Sequence, residues 1–187
     1  MKSQTNLFSH FGFKDLKKRY GRTEYGGLET KGHRKLERPL ATKKWIHLIL
    51  KSDKAKGQYS LLKHKIMAKQ LLDEKARKFH VRIGDYANIG NHLHIKIRIK
   101  SRRQFQKFLK SVTTLLARKI TGARRGRPFG PFWSGLAYTR VLTSALEELN
   151  LRGYFEANRI QARSSYRVRE QYLRAFQEWV RLSRAPS

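Results

Sequence analysis

The stretch Asn91-His92-Leu93-His94-Ile95-Lys96-Ile97-Arg98-Ile99-Lys100 alternates strictly between polar and apolar side chains. Period two belongs to a β-strand, whose successive side chains leave opposite faces. Leu93, Ile95, Ile97 and Ile99 therefore share one face, which can bury against helices. His92, His94, Lys96, Arg98 and Lys100 share the other. Two imidazoles at i and i+2 of one strand can hold one metal ion, and three cations beside them suit a polyanion. An ordinary amphipathic strand with solvated histidines has the same pattern, so the rest of the chain must decide between them.

Around this strand the sequence predicts an ordered series of elements. Thr42–Lys51 contains the apolar run Trp45-Ile46-His47-Leu48-Ile49-Leu50, which suits a buried central strand. His47 reads as a core histidine, with a place near the polar floor as the alternative. Leu61–Phe79 has helical spacing, with Ile66, Leu71 and Leu72 on its apolar side. His80–Ile89 is expected as a strand with Val81, Ile83, Asp85 and Ala87 on one face, joined by a turn at Gly90-Asn91 to the histidine strand. Ser101–Thr121 reads as a helix, with Ser101 at its N-cap and Gly122 at its C-cap. Phe129–Thr143 holds one or two further strands, and a helix capped by Thr143 or Ser144 runs to about Ala162. Leu173, Phe176 and Val180 suggest a last amphipathic helix.

The order βαββαβ plus a helix predicts an α+β fold: a ferredoxin-like, RRM-like antiparallel sheet with helices on one face and the histidine face left open. Residues 1–37 read as a basic arm with a short helix near Phe13–Tyr20, 38–162 as the folded domain, and 163–187 as a basic C-terminal helix and tail.

Charge narrows the partner. Among 187 residues, 43 Lys and Arg against 13 Asp and Glu give a net charge of +30, which points to DNA or RNA. The cations are spread along the chain rather than gathered on one amphipathic anchor, which disfavours a membrane-surface role. No apolar run approaches a membrane span and no N-terminal signal segment is evident, so a soluble, cytoplasmic protein is expected. The absence of cysteine excludes thiolate metal sites and a cysteine nucleophile. Lys96, Arg98, Arg140 and the glycine-bearing loop Arg124-Arg125-Gly126-Arg127 are the candidate phosphate contacts, and Trp133 a candidate for stacking on a base.

Tyr154 and Asn158 stand i, i+4 on the helix that follows the last strand region, hence on a common face. With His92 and His94, the Asn158 amide would complete a mixed nitrogen and oxygen site for Mg²⁺ or Mn²⁺ when a phosphodiester also coordinates. A tyrosine hydroxyl is a weak nucleophile at its free pKa near ~10. A neighbouring cation would favour its attack on phosphorus.

These residues resemble a known family. Asn91-His92-Leu93-His94 resembles the HUH motif, and Phe132-Trp133, Arg140-Val141 and Gly153-Tyr154-Phe155-Glu156-Ala157-Asn158 resemble the C-terminal part of the single-tyrosine transposases. The likeness covers roughly 38–162 and is closest to the REP-associated tyrosine transposases, related to the IS200-like enzymes. The resemblance implies His92, His94 and Asn158 as metal ligands and Tyr154 as nucleophile. It also implies a Mg²⁺- or Mn²⁺-dependent cut in single-stranded DNA near a hairpin, a 5′-phosphotyrosine link, and a bacterial, nucleoid-associated protein acting as monomer or helix-swapped homodimer. Family members usually continue the helix as Asn-Pro, whereas Arg159 follows Asn158 here. A non-catalytic DNA- or RNA-binding protein on the same fold, and a nuclease using water as nucleophile, are the alternative readings.

Overall fold

The structure, a computed structural model, describes residues 23–27, 37–164 and 166–183. The element expected near Phe13–Tyr20 lies outside these residues. Strands β1 (Glu24–Tyr25), β2 (Ile46–Lys51), β3 (Arg82–Asn88), β4 (His92–Arg98) and β5 (Tyr138–Val141) form one sheet in the order β1-β5-β2-β4-β3. Every neighbouring pair is antiparallel. The helices are α1 (Lys65–Lys78), α2 (Arg102–Thr121), α3 (Ala145–Arg163) and α4 (Tyr166–Leu182). The inner strands and α1 and α2 make the split βαββαβ arrangement expected from sequence, with β1 added at an edge from the segment read as a basic arm.

The main core lies between α1, α2 and one sheet face. Ile46, Leu48 and Leu50 of β2 pair with Ile97, Ile95 and Leu93 of β4, and all of them are buried with Leu72, Phe105, Phe108, Val112 and Leu116. The α2 termini follow the expected caps. Ser101 Oγ accepts from Gln104 N at 3.2 Å, and Gly122 takes φ 69°, a left-handed value that glycine adopts without strain.

Three expectations are corrected. First, the histidine face of the sheet is not open. α3 lies across it, and Leu151, Tyr154 and Phe155 bury against Ala87, Leu142 and Trp45 in a second, smaller core. Second, β3 does not keep one alternation. A bulge between Ile83 and Asp85 leaves Ile83 opposite Ile97 on the main-core face but sets Asp85 opposite Lys96 on the histidine face. Gly84 sits at this bulge against Trp45, where an added Cβ would come 2.7 Å from the indole. Third, α1 begins at Lys65, and Ile66 in its first turn is 68% exposed because the buried stripe is Ala68, Leu71, Leu72 and Ala76. Of the one or two strands expected in 129–143 the structure has one, β5, and Phe132 and Trp133 turn into the main core as loop residues.

Candidate active site on the histidine face

The register of the sheet assembles the site's floor. His92 and His94 of β4 lie opposite Lys51 and Ile49 of β2, so His47, two residues before Ile49, shares their face. Arg140 and Tyr138 of β5 join it through pairing with His47 and Ile49. The His92 and His94 ring centroids are 4.6 Å apart. His92 Nδ1 lies 2.6 Å from Asn91 Oδ1, an acceptor, so the proton sits on Nδ1 and the Nε2 lone pair is available. His94 Nδ1 lies 2.9 Å from His47 Nε2, while His94 Nε2 is buried without a hydrogen-bond partner. A buried ring nitrogen left in that state calls for a partner, and with the His94 proton on Nδ1, donated to His47, it offers a lone pair to a cation.

Helix α3 supplies the roof. Ser144 caps it, its Oγ accepting from Glu147 N at 3.2 Å. The Glu147 carboxylate accepts from Thr143 N at 2.5 Å and from Thr143 Oγ1 at 2.9 Å. The same carboxylate is ion-paired with Arg140 Nη2 at 2.8 Å, both side chains buried, which ties the helix start to β5. Lys96 pairs with Glu148 at 2.9 Å one residue on. Beyond the site, Arg159 bonds Asp85 and donates to Tyr86 O at 3.2 Å. Arg159, which stands where the resembling family has proline, thus fastens the far end of α3 to the bulged strand.

Between these anchors α3 turns Tyr154, Phe155 and Asn158 onto the histidines. The Tyr154 and His94 ring centroids are 5.2 Å apart, and Phe155 packs against His47 at 5.7 Å. Asn158 is 1% exposed, and its Nδ2 has no partner. Asn158 and His92 line the same cleft, and the two amide ends differ by a half-turn, so either can point into it. Asn158 and, from α4, Arg169 stand beside Tyr154, with Arg169 Cζ 5.9 Å from the centre of the tyrosine ring. An open cleft of about 410 Å³, lined by Gly90, Asn91, His92, Asn158 and Gln161, reaches this cluster from the β3–β4 turn.

Burial sets the electrostatics. Desolvation lowers His92 to about 4, helped by the charges of Lys51 and Arg169. Desolvation likewise lowers His47 to about 3 and His94 well below its ordinary value. All three imidazoles are neutral at neutral pH, the form that binds metal. Burial raises Tyr154, while hydrogen bonding from Asn158 and the charge and hydrogen bond of Arg169 act in the opposite sense.

His92, His94, Tyr154 and Asn158 are therefore brought together. Among the described residues no group of three His, Cys, Asp or Glu is placed to hold a metal ion, so a metal here would rest on two imidazoles and an amide. That set fits: it offers neutral nitrogen and oxygen donors, one of them the orphaned His94 Nε2. The proposed DNA contacts divide. Arg124, Arg125 and Arg127 are exposed on a tight turn closed by Arg127 N to Arg124 O at 2.9 Å. Lys96 and Arg98 lie over the Trp45 ring at 4.7 and 4.5 Å, with Arg82 at 5.6 Å. Arg140 is 5% exposed and ion-paired with Glu147 and Glu24, so it holds the sheet and α3 together rather than facing a ligand. Trp133 is half-buried: it packs on the main core and donates Nε1 to Thr113 O at 2.9 Å.

The sequence reading favoured the core for His47, which the register places on the histidine face, and missed Arg169. For Arg169 a signal existed: it continues the spacing of Leu173, Phe176 and Val180 back by four residues.

No protein-family model and no curated protein sequence matches the chain. Among solved structures, a REP-associated tyrosine transposase bound to a REP hairpin superposes with a TM-score of 0.52 at 10% identity, over 68% of this chain and 73% of that one. A Deinococcus radiodurans protein provisionally assigned as a transposase is a looser match, with a TM-score of 0.42 at 18% identity over 67% of this chain and 98% of that one. The chain has the α+β fold of the REP-associated tyrosine transposases. Among the described residues no helix is long and apolar enough to cross a membrane.

Proposed function

We propose that the chain is a metal-dependent endonuclease and strand transferase that acts on single-stranded DNA at hairpin-flanked sites through a 5′-phosphotyrosine intermediate. One observation carries this reading: a tyrosine, two neutral imidazoles and a buried amide from separate elements cluster behind a solvent-open cleft that His92 and Asn158 line. A binding module has no need of that convergence.

The Tyr154 oxygen attacks phosphorus, and a tyrosyl oxygen–phosphorus bond forms as the phosphorus–O3′ bond breaks. The departing O3′ keeps the bonding pair and ends with the proton that the phenol gives up. A different 3′-hydroxyl later attacks the phosphotyrosine, and the tyrosyl oxygen leaves and regains a proton. The bond energy is conserved, so strands exchange without a high-energy co-substrate. His92, His94 and Asn158 would hold Mg²⁺ or Mn²⁺, which would draw charge from the non-bridging phosphate oxygens. His47 and Asn91 orient the two imidazoles, and α3 delivers Tyr154 within its own chain, which favours a site complete in the monomer. The strand would enter along the cleft beside His92, with Arg82, Lys96 and Arg98 offering positive charge further along the same sheet face. The Arg124–Arg127 turn would add phosphate contacts.

The test uses labelled single-stranded hairpin oligonucleotides, drawn from the DNA flanking the gene, with purified protein and Mn²⁺ on a denaturing gel. A protein-sized covalent band is expected, and Tyr154→Phe should lose it while keeping DNA affinity. Cleavage without an adduct would mean water is the nucleophile. Binding without cleavage across metals and flanking hairpins would make this a DNA-binding protein on the same fold.

A further inference from the structure

Helix α4 carries a charge where its packing asks for an apolar side chain. Leu173, Phe176 and Val180 form the seam that lies toward α3, and one step back in the same four-three-four spacing stands Arg169. Such a position ordinarily takes leucine or valine. Arg169 is 6% exposed, so its guanidinium has been taken out of water, which is unfavourable without compensating partners.

Its surroundings explain the choice. Nη1 donates to Glu170 Oε1 at 2.6 Å, which orients the planar group. The guanidinium also lies against Tyr154, with Cζ 5.9 Å from the centre of its ring, close enough for its charge to favour the ionised hydroxyl. The approach of the two helices is permitted by Gly153, next to Tyr154. A Cβ there would stand 2.3 Å from the Phe176 ring. Small size at 153 and charge at 169 thus serve one arrangement, in which the C-terminal helix reaches the candidate nucleophile.

We propose that Arg169 is a catalytic residue supplied by the C-terminal helix: it holds the Tyr154 hydroxyl and takes a non-bridging oxygen of the scissile phosphate as the tyrosyl–phosphorus bond forms. This rests on the phosphotyrosine reading above. A guanidinium has five N–H donors in a fixed fork, enough for Glu170, the hydroxyl and a phosphate oxygen together. Charge spreads over the equatorial oxygens as phosphorus is attacked, and a preorganised buried cation stabilises that state. Arg169 keeps its protons throughout; the phenolic proton leaves with O3′. The catalytic unit accordingly extends through α4 instead of ending near residue 162.

The experiment follows covalent adduct formation under single-turnover conditions with full-length protein, Mn²⁺ and a hairpin oligonucleotide that the wild type cleaves. Arg169→Ala and Arg169→Met are compared, the second because it keeps the seam filled should the first unfold. Adduct formation is expected to slow by roughly 10²–10³-fold, the loss typical of a removed transition-state donor. DNA affinity should stay within a few-fold of wild type. Millimolar guanidinium should restore part of the Arg169→Ala rate and none in Tyr154→Phe. Wild-type rates in the Met variant would overturn the inference, as would a rate loss that follows a lowered melting temperature and ignores guanidinium. A wild type that forms no adduct overturns the phosphotyrosine reading and this inference with it, whereas an adduct indifferent to Arg169 overturns the inference alone.

Discussion

His47, His92 and His94 are held neutral by the same burial that leaves His94 Nε2 without a partner. That has a cost in acid. Each group binds its proton more weakly in the folded chain than in the unfolded one, whose imidazoles titrate near ~6.5. The stabilisation is therefore complete above about pH 6.5 and drains as pH falls toward the folded values of about 4 for His92 and about 3 for His47. Each such group removes up to about 1.4 kcal/mol per pH unit in that window. The expected result is a urea midpoint that is level from pH 7 to 8 and drops steeply below pH 6; a midpoint unchanged down to pH 5 would contradict the buried neutral imidazoles. His47 would have a second task under the proposed function, since its contact at His94 Nδ1 would leave Nε2 free to hold the metal. His47→Ala should weaken Mn²⁺ binding by about 10–100-fold in titration calorimetry, the usual effect of losing such an orienting partner. Of these residues, His92 and His94 were legible from their alternation. His47 was not, because a histidine in an apolar run reads the same whether it supports a ligand or fills a core.

At the scale of elements, α3 decides whether there is a site. Its caps, its length and the Tyr154–Asn158 spacing are local properties and could be read in sequence. Where it lies could not, because its placement depends on pairs far apart in the chain: Arg140 with Glu147, Lys96 with Glu148, and Arg159 with Asp85. The last of these needs the bulge at Gly84, since an unbroken β3 would turn Asp85 to the other face. The α3–α4 contact is equally specific. Gly153→Ala puts a methyl into the Phe176 ring, and overpacking of this kind costs roughly 1–3 kcal/mol. A lowered melting temperature together with slower adduct formation is expected. An unaffected melting temperature would show that α4 sits elsewhere in solution.

The whole molecule is a strongly cationic body with its candidate chemistry folded beneath a helix. A charge of +30 predicts DNA affinity that falls steeply with salt whatever the sequence of the strand. Arg124→Ala, at the exposed turn, should weaken binding and reduce the salt slope by about 0.7, one phosphate of a single strand. An unchanged slope would remove that turn from the interface. Arg140→Ala should behave differently and cost stability, because it strands Glu147 in a buried place. The sequence alone determined the period-two strand, the helix caps, the antiparallel α+β order and the residues that carry the candidate chemistry, since each depends on spacing along one short segment. Only the tertiary structure decided which cations face solvent, that the histidine face is roofed by α3, and that His47 and Arg169 join the site. Those outcomes follow from strand register, a bulge and the docking of two helices, which bring together residues that no local pattern connects.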